Sequence, residues 1–228
     1  MTLLDVLYAL MDKRECEIIT SWKEIPIRTK LPIKWISPKE RFVSFNFRDC
    51  KFKNVFSDRS PIYVKIEEVF LLSKIFSNIR DELVLEIESP VPAPPIVLRE
   101  YIRVQPTETE PIFVSFCIEE NCMFRAKAVD ISESGVGIVI YEKYTDKLMD
   151  ILSNIATDIQ KIHTPFKVNI ELSKEDSIET LGELKNVIKE GDYVRLGIKL
   201  NLSEEQKKRV RRYIMRRQRE ILEQLKSL

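Results

Sequence analysis

The first 90 residues consist of short apolar runs that alternate with polar residues, and they contain no glycine. Residues 42–47 read Phe-Val-Ser-Phe-Asn-Phe and residues 83–88 read Leu-Val-Leu-Glu-Ile-Glu. A period of two predicts strands that bury one face, and prolines between the runs are typical of sheet edges and corners. The pattern therefore indicates a small β-barrel. The predicted strands are 16–20, 25–28, 33–36, 42–47, 62–66, 69–73 and 83–87.

The chain before this barrel predicts a helix over residues 2–14. Thr2 and Asp5 have the spacing of a capping pair, and a broad apolar stripe follows them. We expect the stripe to pack against one end of the barrel, with contact to a partner or a membrane as the alternative. Because the first glycine is Gly135, the turns of this half are expected to use Pro, Asn, Asp and Ser.

Four prolines between Pro90 and Pro95 mark a domain boundary. Such a run is stiff and extended, and it is not expected inside a sheet. The sequence therefore predicts a β-rich domain over residues 1–89, a linker over 90–98 and a second domain over 99–228.

The second half also has strand periodicity, with two helical additions. Residues 145–162 carry apolar side chains at spacings of three and four, which predicts a helix. Ser203 and Gln206 form a capping box at the start of a long carboxy-terminal helix. The predicted class is mainly β, with two small β-barrels, an amino-terminal helix and these two helices. The strands expected here are 101–105, 112–118, 123–131, 137–141, 166–172, 181–188 and 193–200.

Composition argues against several classes of protein. The net charge is +1, so no global field favours a nucleic acid or an anionic membrane. We expect a cytoplasmic protein, because there is no apolar run of about 18 residues and no signal-peptide pattern. Four scattered cysteines favour reduced thiols, and His163 is the one histidine. With no Walker or dinucleotide loop either, we expect neither an enzyme nor a metal or cofactor site.

Two short motifs carry the remaining chemistry. Arg99 and Arg103 lie four residues apart just after the prolines, and a guanidinium fork suits phosphate and the guanine O6/N7 edge. Asp130, Ser132 and Gly135 follow as Asp-x-Ser-x-x-Gly. The carboxylate can accept from guanine N–H groups, the hydroxyl can donate to a phosphate, and the glycine permits positive φ or close approach of a ligand. A plain turn that reverses the chain is the alternative for this second motif.

The ordered set resembles the PilZ domain, the bacterial receptor module for cyclic di-GMP. The resemblance covers roughly residues 96–228, and the amino-terminal half resembles the layout of flagellar-brake-type members. It implies a six-stranded barrel that binds cyclic di-GMP through Arg99, Arg103, Asp130, Ser132 and Gly135. Leu98 stands where many members have a further arginine, so the resemblance allows either one bound nucleotide or a stacked pair.

The resemblance further implies that ligand binding between the domains changes their arrangement. The output would be regulation of motility, attachment or secretion through a protein partner, such as the flagellar motor or other machinery. One alternative is a nucleic-acid-binding barrel that uses the basic carboxy-terminal helix. Another is a scaffold that forms a homodimer and keeps a vestigial nucleotide site. The acidic residues interspersed along that helix favour a solvated face over a nucleic-acid surface.

Overall fold

The computed structural model describes residues 2–57, 60–119, 122–141, 164–190 and 193–227. The chain divides into two compact units, one of residues 1–100 with 221–228 and the other of residues 101–220. Each unit contains a closed six-stranded antiparallel barrel. The predicted class, mainly β with two small barrels, is therefore confirmed. The predicted helix at 145–162 lies outside the described residues.

The barrel of the first unit has the strand order β1-β2-β3-β6-β5-β4, and β4 pairs with β1 to close it. Its strands are β1 Glu15–Trp22, β2 Ile25–Ser37, β3 Phe42–Asn46, β4 Ile62–Ile66, β5 Val69–Ile79 and β6 Glu82–Val91. The runs predicted as two strands, 25–28 and 33–36, form the single strand β2. An irregular register between Ile33 and Trp35 lets β2 pair first with β1 and then with β3.

Three prolines lie inside these strands. Pro26 lies in the strand predicted at 25–28, whereas β6 extends past its predicted end at 87 and includes Pro90, which was expected outside the sheet. Pro26 and Pro32 pair with β1, and Pro90 pairs with Leu71 of β5. Among the described residues, none of the three has a strand partner on its other side, because β3 pairs only with residues 33–37 of β2 and 82–86 of β6. A residue with one open side does not need its N–H for the ladder.

The tight turns of this unit use charged residues with positive φ, and not only the turn formers that the composition predicts. Lys23 and Glu24 have φ of 48° and 70°, and Arg41, Glu67 and Arg80 lie at 60°, 53° and 56°. Left-handed backbone costs a non-glycine residue roughly 1–2 kcal/mol. The strand pairing on both sides of each turn supplies the stabilisation that makes this conformation tolerable.

Helix α1, Leu3–Met11, is part of the first core. Its amino terminus has the predicted capping box, in which Thr2 and Asp5 bond each other's backbone N–H groups. Val6, Leu7 and Leu10 are buried in one cluster with the barrel side chains. The interpretation of α1 as a helix that packs on the barrel is confirmed. Two shorter helical segments follow, a 3-10 turn at Lys53–Val55 and α2 at Pro95–Leu98.

The second barrel has the strand order β10-β11-β12-β9-β8-β7, closed by pairing of β7 with β10. Its strands are β7 Phe113–Glu119, β8 Cys122–Ser132, β9 Gly135–Tyr141, β10 Phe166–Glu171, β11 Ser177–Glu190 and β12 Tyr193–Asn201. The strand predicted at 101–105 is reduced to one bridge, between Val104 and Ile131. A short segment between a helix and a loop has too few partners to extend the ladder.

Helix α3, Glu204–Ser227, begins with the predicted capping box of Ser203 and Gln206. Val210, Tyr213 and Ile214 are buried on its apolar face. Its other faces are dense in charge. Within the described ranges, no helix has both the length and the apolar character needed to span a bilayer.

Candidate functional site

Asp130 lies near the end of β8 and is buried. Its side chain is 2% exposed, and each carboxylate oxygen accepts from a different arginine. Nη1 of Arg103 is 3.5 Å from Oδ1, and Nη2 of Arg195 is 2.7 Å from Oδ2. A buried carboxylate needs such partners, because an unpaired charge is expensive to remove from water.

The backbone around Asp130 leaves space for its side chain. The β8–β9 register is irregular between Ala128 and Asp130, and Asp130 pairs with Gly137 of β9. A Cβ at Gly137 would lie 2.5 Å from Oδ2 of Asp130, inside van der Waals contact. Gly137 in turn pairs with Gly197 of β12. Gly137 therefore provides the room that the buried carboxylate occupies.

A reciprocal backbone pair places Arg103 beside this carboxylate. The N–H of Val104 donates to the carbonyl of Ile131 at 3.0 Å, and the N–H of Ile131 donates back at 3.1 Å. Val104 follows Arg103 and Ile131 follows Asp130 in the chain. The bridge thus brings Arg103 of the first motif to Asp130 of the second motif.

Ser132 and Gly135 form the turn between β8 and β9. The Ser132 side chain is buried; its hydroxyl donates to the Gly135 carbonyl at 3.2 Å and accepts from the Ser134 N–H at 3.4 Å. The φ of Gly135 is outside the left-handed region, so the first of the two predicted reasons for this glycine, a positive φ, does not apply. A Cβ at Gly135 would instead lie 2.8 Å from the Ile198 carbonyl oxygen, so close approach of β12 explains the glycine.

Arg99 belongs to the first unit. Its Nη1 donates to Oε2 of Glu24 at 2.8 Å, and Glu24 lies in the turn between β1 and β2. The two motif arginines therefore have separate partners, Glu24 for Arg99 and Asp130 for Arg103. Of the five predicted site residues, four are grouped in the second unit: Arg103, Asp130, Ser132 and Gly135.

Arg195 belongs to the cluster with Asp130 and Arg103, although neither of the two sequence motifs contains it. It lies on β12, two residues before Gly197, so both residues lie on the same face of the strand. The sequence predicts a strand here with alternating faces, but it does not predict which strands lie beside it. The side chains of Arg103 and Arg195 are 42% and 39% exposed, so each guanidinium keeps donors that reach solvent. One carboxylate between two cations leaves a net positive site that suits an anion.

The basic residues of α3 are largely paired. Arg209 contacts Asp176, Arg211 contacts Glu133, and Arg217 contacts Glu220. Lys207 and Arg216 also form ion pairs with acidic residues, whereas Lys208, Arg212 and Arg219 form none among the residues that the structure describes. Arg217 is buried. The expectation of a solvated basic face therefore holds only in part, because several of these arginines are bound to the barrel.

Two of the thiols, Cys16 and Cys50, are weak nucleophiles. Burial raises the pKa of the Cys16 thiol to about 11, and burial also raises the pKa of Cys50. Both thiols are therefore protonated at neutral pH, which is the unreactive form. His163 lies outside the described residues.

Comparison with known proteins gives matches over both parts of the chain. A model of the PilZ domain family matches residues 98–216. An uncharacterized protein of Aquifex aeolicus (strain VF5) is 31% identical over 214 residues, which cover 93% of this chain and 91% of the relative.

Solved structures of low identity cover most of the chain. YcgR of Escherichia coli in complex with c-di-GMP is 15% identical, with 97% of this chain and 92% of that chain covered and a TM-score of 0.46. The complex of K. pneumonia MrkH with c-di-GMP is 10% identical, covers 93% and 91%, and has a TM-score of 0.45. The Bacillus subtilis inhibitor of motility (MotI/DgrA) is 13% identical, covers 90% and 96%, and has a TM-score of 0.41.

Proposed function

Because the chain belongs to the PilZ domain family, we propose that it is a non-enzymatic receptor for cyclic di-GMP. The binding residues in this proposal are Arg99, Arg103, Asp130, Ser132 and Gly135. The observation that supports it best is the buried Asp130 carboxylate, which lies between Arg103 and a second guanidinium. That arrangement presents planar donors where Arg103 of the first motif lies beside Asp130 of the second.

The ligand chemistry follows from the groups that remain available. Arg103 is the loosely bound partner of Asp130, at 3.5 Å, so it can turn its fork to a phosphate or to the guanine O6/N7 edge. Arg195 is the close partner, at 2.7 Å, and keeps the carboxylate in place. When Arg103 leaves, Oδ1 of Asp130 becomes free to accept from the N1–H or N2–H of a guanine. Ser132 can exchange its bond within the turn for one to a phosphate.

We further propose that ligand binding changes the arrangement of the two units. Arg99 has its partner in the first unit and Arg103 has its partner in the second. A ligand that engages both arginines would favour one arrangement of the units over another, through its different contacts in each. The output is an altered surface for a protein partner in the cytoplasm, with motility, attachment or secretion as the regulated process.

Calorimetric titration with cyclic di-GMP tests the proposal. We expect micromolar or tighter binding by the full chain, and a loss of at least about tenfold in Arg103→Ala and Asp130→Ala, because a hydrogen bond to a charged group contributes roughly 1.5–3 kcal/mol. Arg125→Ala is the matched control, since Arg125 lies on β8 but pairs with Glu171 at the surface.

Two outcomes would count against the proposal. The wild-type chain could give no heat with cyclic di-GMP, or Arg103→Ala could bind as well as the wild type. A single-stranded oligonucleotide is titrated in parallel at several salt concentrations. Tight binding that weakens steeply with salt would instead support a nucleic-acid-binding barrel.

A further inference from the structure

We propose that helix α3 positions both segments of the binding site, with Arg211 acting on the Asp-x-Ser-x-x-Gly turn and Arg217 acting on the segment that follows Arg103. The effect of α3 on ligand affinity rests on the proposed function. The effect of α3 on the turn is independent of it, because the contacts between α3 and the turn are present without ligand.

Arg211 bonds the turn through Glu133. Its Nε and Nη2 atoms donate to the two carboxylate oxygens at 2.8 and 2.6 Å, which is the bidentate fork geometry. Glu133 lies between Ser132 and Ser134, at a position that the motif leaves unspecified. Its side chain is 19% exposed, so solvent screens this pair less than a fully exposed one. The hydrogen bonds from Arg211 lower the pKa of Glu133, so the carboxylate is charged at neutral pH.

Arg217 bonds the arginine segment through its backbone. Nε of Arg217 donates to the carbonyl of Gln105 at 2.8 Å, and Nη1 contacts Glu220 at 2.9 Å. The Arg217 side chain is only 5% exposed. A buried guanidinium is costly without its partners, so this contact is strongly favoured. Gln105 follows Val104, the residue that bridges to Ile131.

One rigid element therefore holds both segments. Arg211 and Arg217 are six residues apart, which is roughly 9 Å along a helix axis. A shift of either segment on ligand binding changes the contacts of α3, and a shift of α3 changes the site by the same coupling free energy. Arg211 and Arg217 are in this sense positioning residues, because they act on the site through other groups.

The test compares Glu133→Gln and Arg211→Gln with Arg212→Gln. Arg212 is adjacent on α3 and has no acidic partner in the described part of the chain, so it is the matched control. We expect calorimetry to give about fivefold weaker binding of cyclic di-GMP for the two pair variants, and unchanged binding for the control. The double exchange Glu133→Arg with Arg211→Glu should recover most of the affinity, which a loss of fold could not do.

A second measurement needs no ligand. Hydrogen exchange of the amides in residues 132–135 should be faster in Glu133→Gln than in the wild type and in Arg212→Gln, and the increase should exceed that of the other strand amides of the same barrel. Arg217→Lys should likewise speed exchange at Val104, since it keeps the charge and loses the fork. Melting temperatures identify any variant that fails to fold.

The outcomes separate the two proposals. If the wild type does not bind cyclic di-GMP, the proposed function fails, while exchange at residues 132–135 still decides whether α3 holds the turn. If the wild type binds and the pair variants match Arg212→Gln in both affinity and exchange, the positioning role is wrong. Weaker binding in the single variants without recovery in the double exchange would also overturn it.

Discussion

The candidate site depends on the lack of a side chain at Gly137 as well as on its charged residues. Asp130 is buried, and its carboxylate occupies the space that a Cβ at Gly137 would fill. A methyl group there cannot be accommodated by a small rotation, because both carboxylate oxygens are already held by Arg103 and Arg195. The geometry of the two guanidiniums thus depends on Gly137.

Gly137→Ala should therefore displace Asp130 and weaken cyclic di-GMP binding by at least about tenfold, which corresponds to about 1.4 kcal/mol. Calorimetry measures the affinity. Gly182→Ala is the control, because its Cβ would meet side-chain methyl groups of Ile198 and Val168 at 2.7 Å and not the carboxylate. Equal losses of affinity in both variants would mean that general destabilisation, and not Asp130, explains the effect.

The pair of Glu133 and Arg211 should make stability depend on pH. Hydrogen bonds from Arg211 lower the pKa of Glu133 from its usual 4.5 in the folded chain. The stabilisation is thus fully present above the unfolded value and is lost as pH falls through the folded value. Thermal melts of wild type and Glu133→Gln should differ above about pH 5 and converge in stronger acid. A difference that stays constant down to pH 2–3 would contradict this, and Glu175→Gln, a change at an exposed glutamate of the same unit, is the control.

Helix α1 is stabilised by what it buries. A helix of nine residues is marginal alone, so the capping box of Thr2 and Asp5 orients it while the barrel core supplies the free energy. Leu7 is fully buried in the cluster, and Leu4 on the same helix is 48% exposed. The two leucines therefore form an internal comparison of core and surface.

Leu7→Ala should lower the free energy of unfolding of the first unit by roughly 2–5 kcal/mol, because it leaves a cavity. Leu4→Ala should change it by less than about 0.5 kcal/mol. Urea unfolding followed by tryptophan fluorescence is the measurement, since both tryptophans, Trp22 and Trp35, lie in the first unit. Similar effects of the two substitutions would show that α1 does not pack on the core in solution.

At the scale of the whole molecule, the position of the tryptophans allows the units to be observed separately. The cluster of Arg103, Asp130 and Arg195 lies in the second unit, which has no tryptophan. A ligand confined to that cluster stabilises only the second unit. A ligand that also engages Arg99 stabilises the first unit as well.

Cyclic di-GMP should therefore shift the tryptophan-monitored urea transition of the wild type to higher concentration. In Arg99→Ala the shift should be lost, even though calorimetry still detects the weaker binding at the second unit. Trp22 and Trp35 fluorescence in the absence of ligand controls for damage to the first barrel. An unchanged shift in Arg99→Ala would disprove the proposed role of Arg99 in the switch.

Local sequence was enough to predict the class of fold and most of the elements. Period-two alternation predicts nearly every strand of both barrels, because each strand buries one face whatever its neighbours are. The capping boxes at Thr2 and Ser203 predict helix starts for the same reason, since their contacts span three residues. The two motifs also identify the family, and the residues they contain can be named before any fold is known.

Only the tertiary structure decided which distant groups meet. Arg195 lies 65 positions from Asp130, and no local pattern pairs them before β9 and β12 are known to be neighbours. The continuation of β2 through Pro32 and of β6 to Pro90 was missed, because the register of the barrel decides where a strand segment is paired on one side only. The bond between Arg211 and Glu133, 78 positions apart, has the same origin. Periodicity and capping act within a few residues, whereas register, crowding and ion pairing depend on the complete sheet.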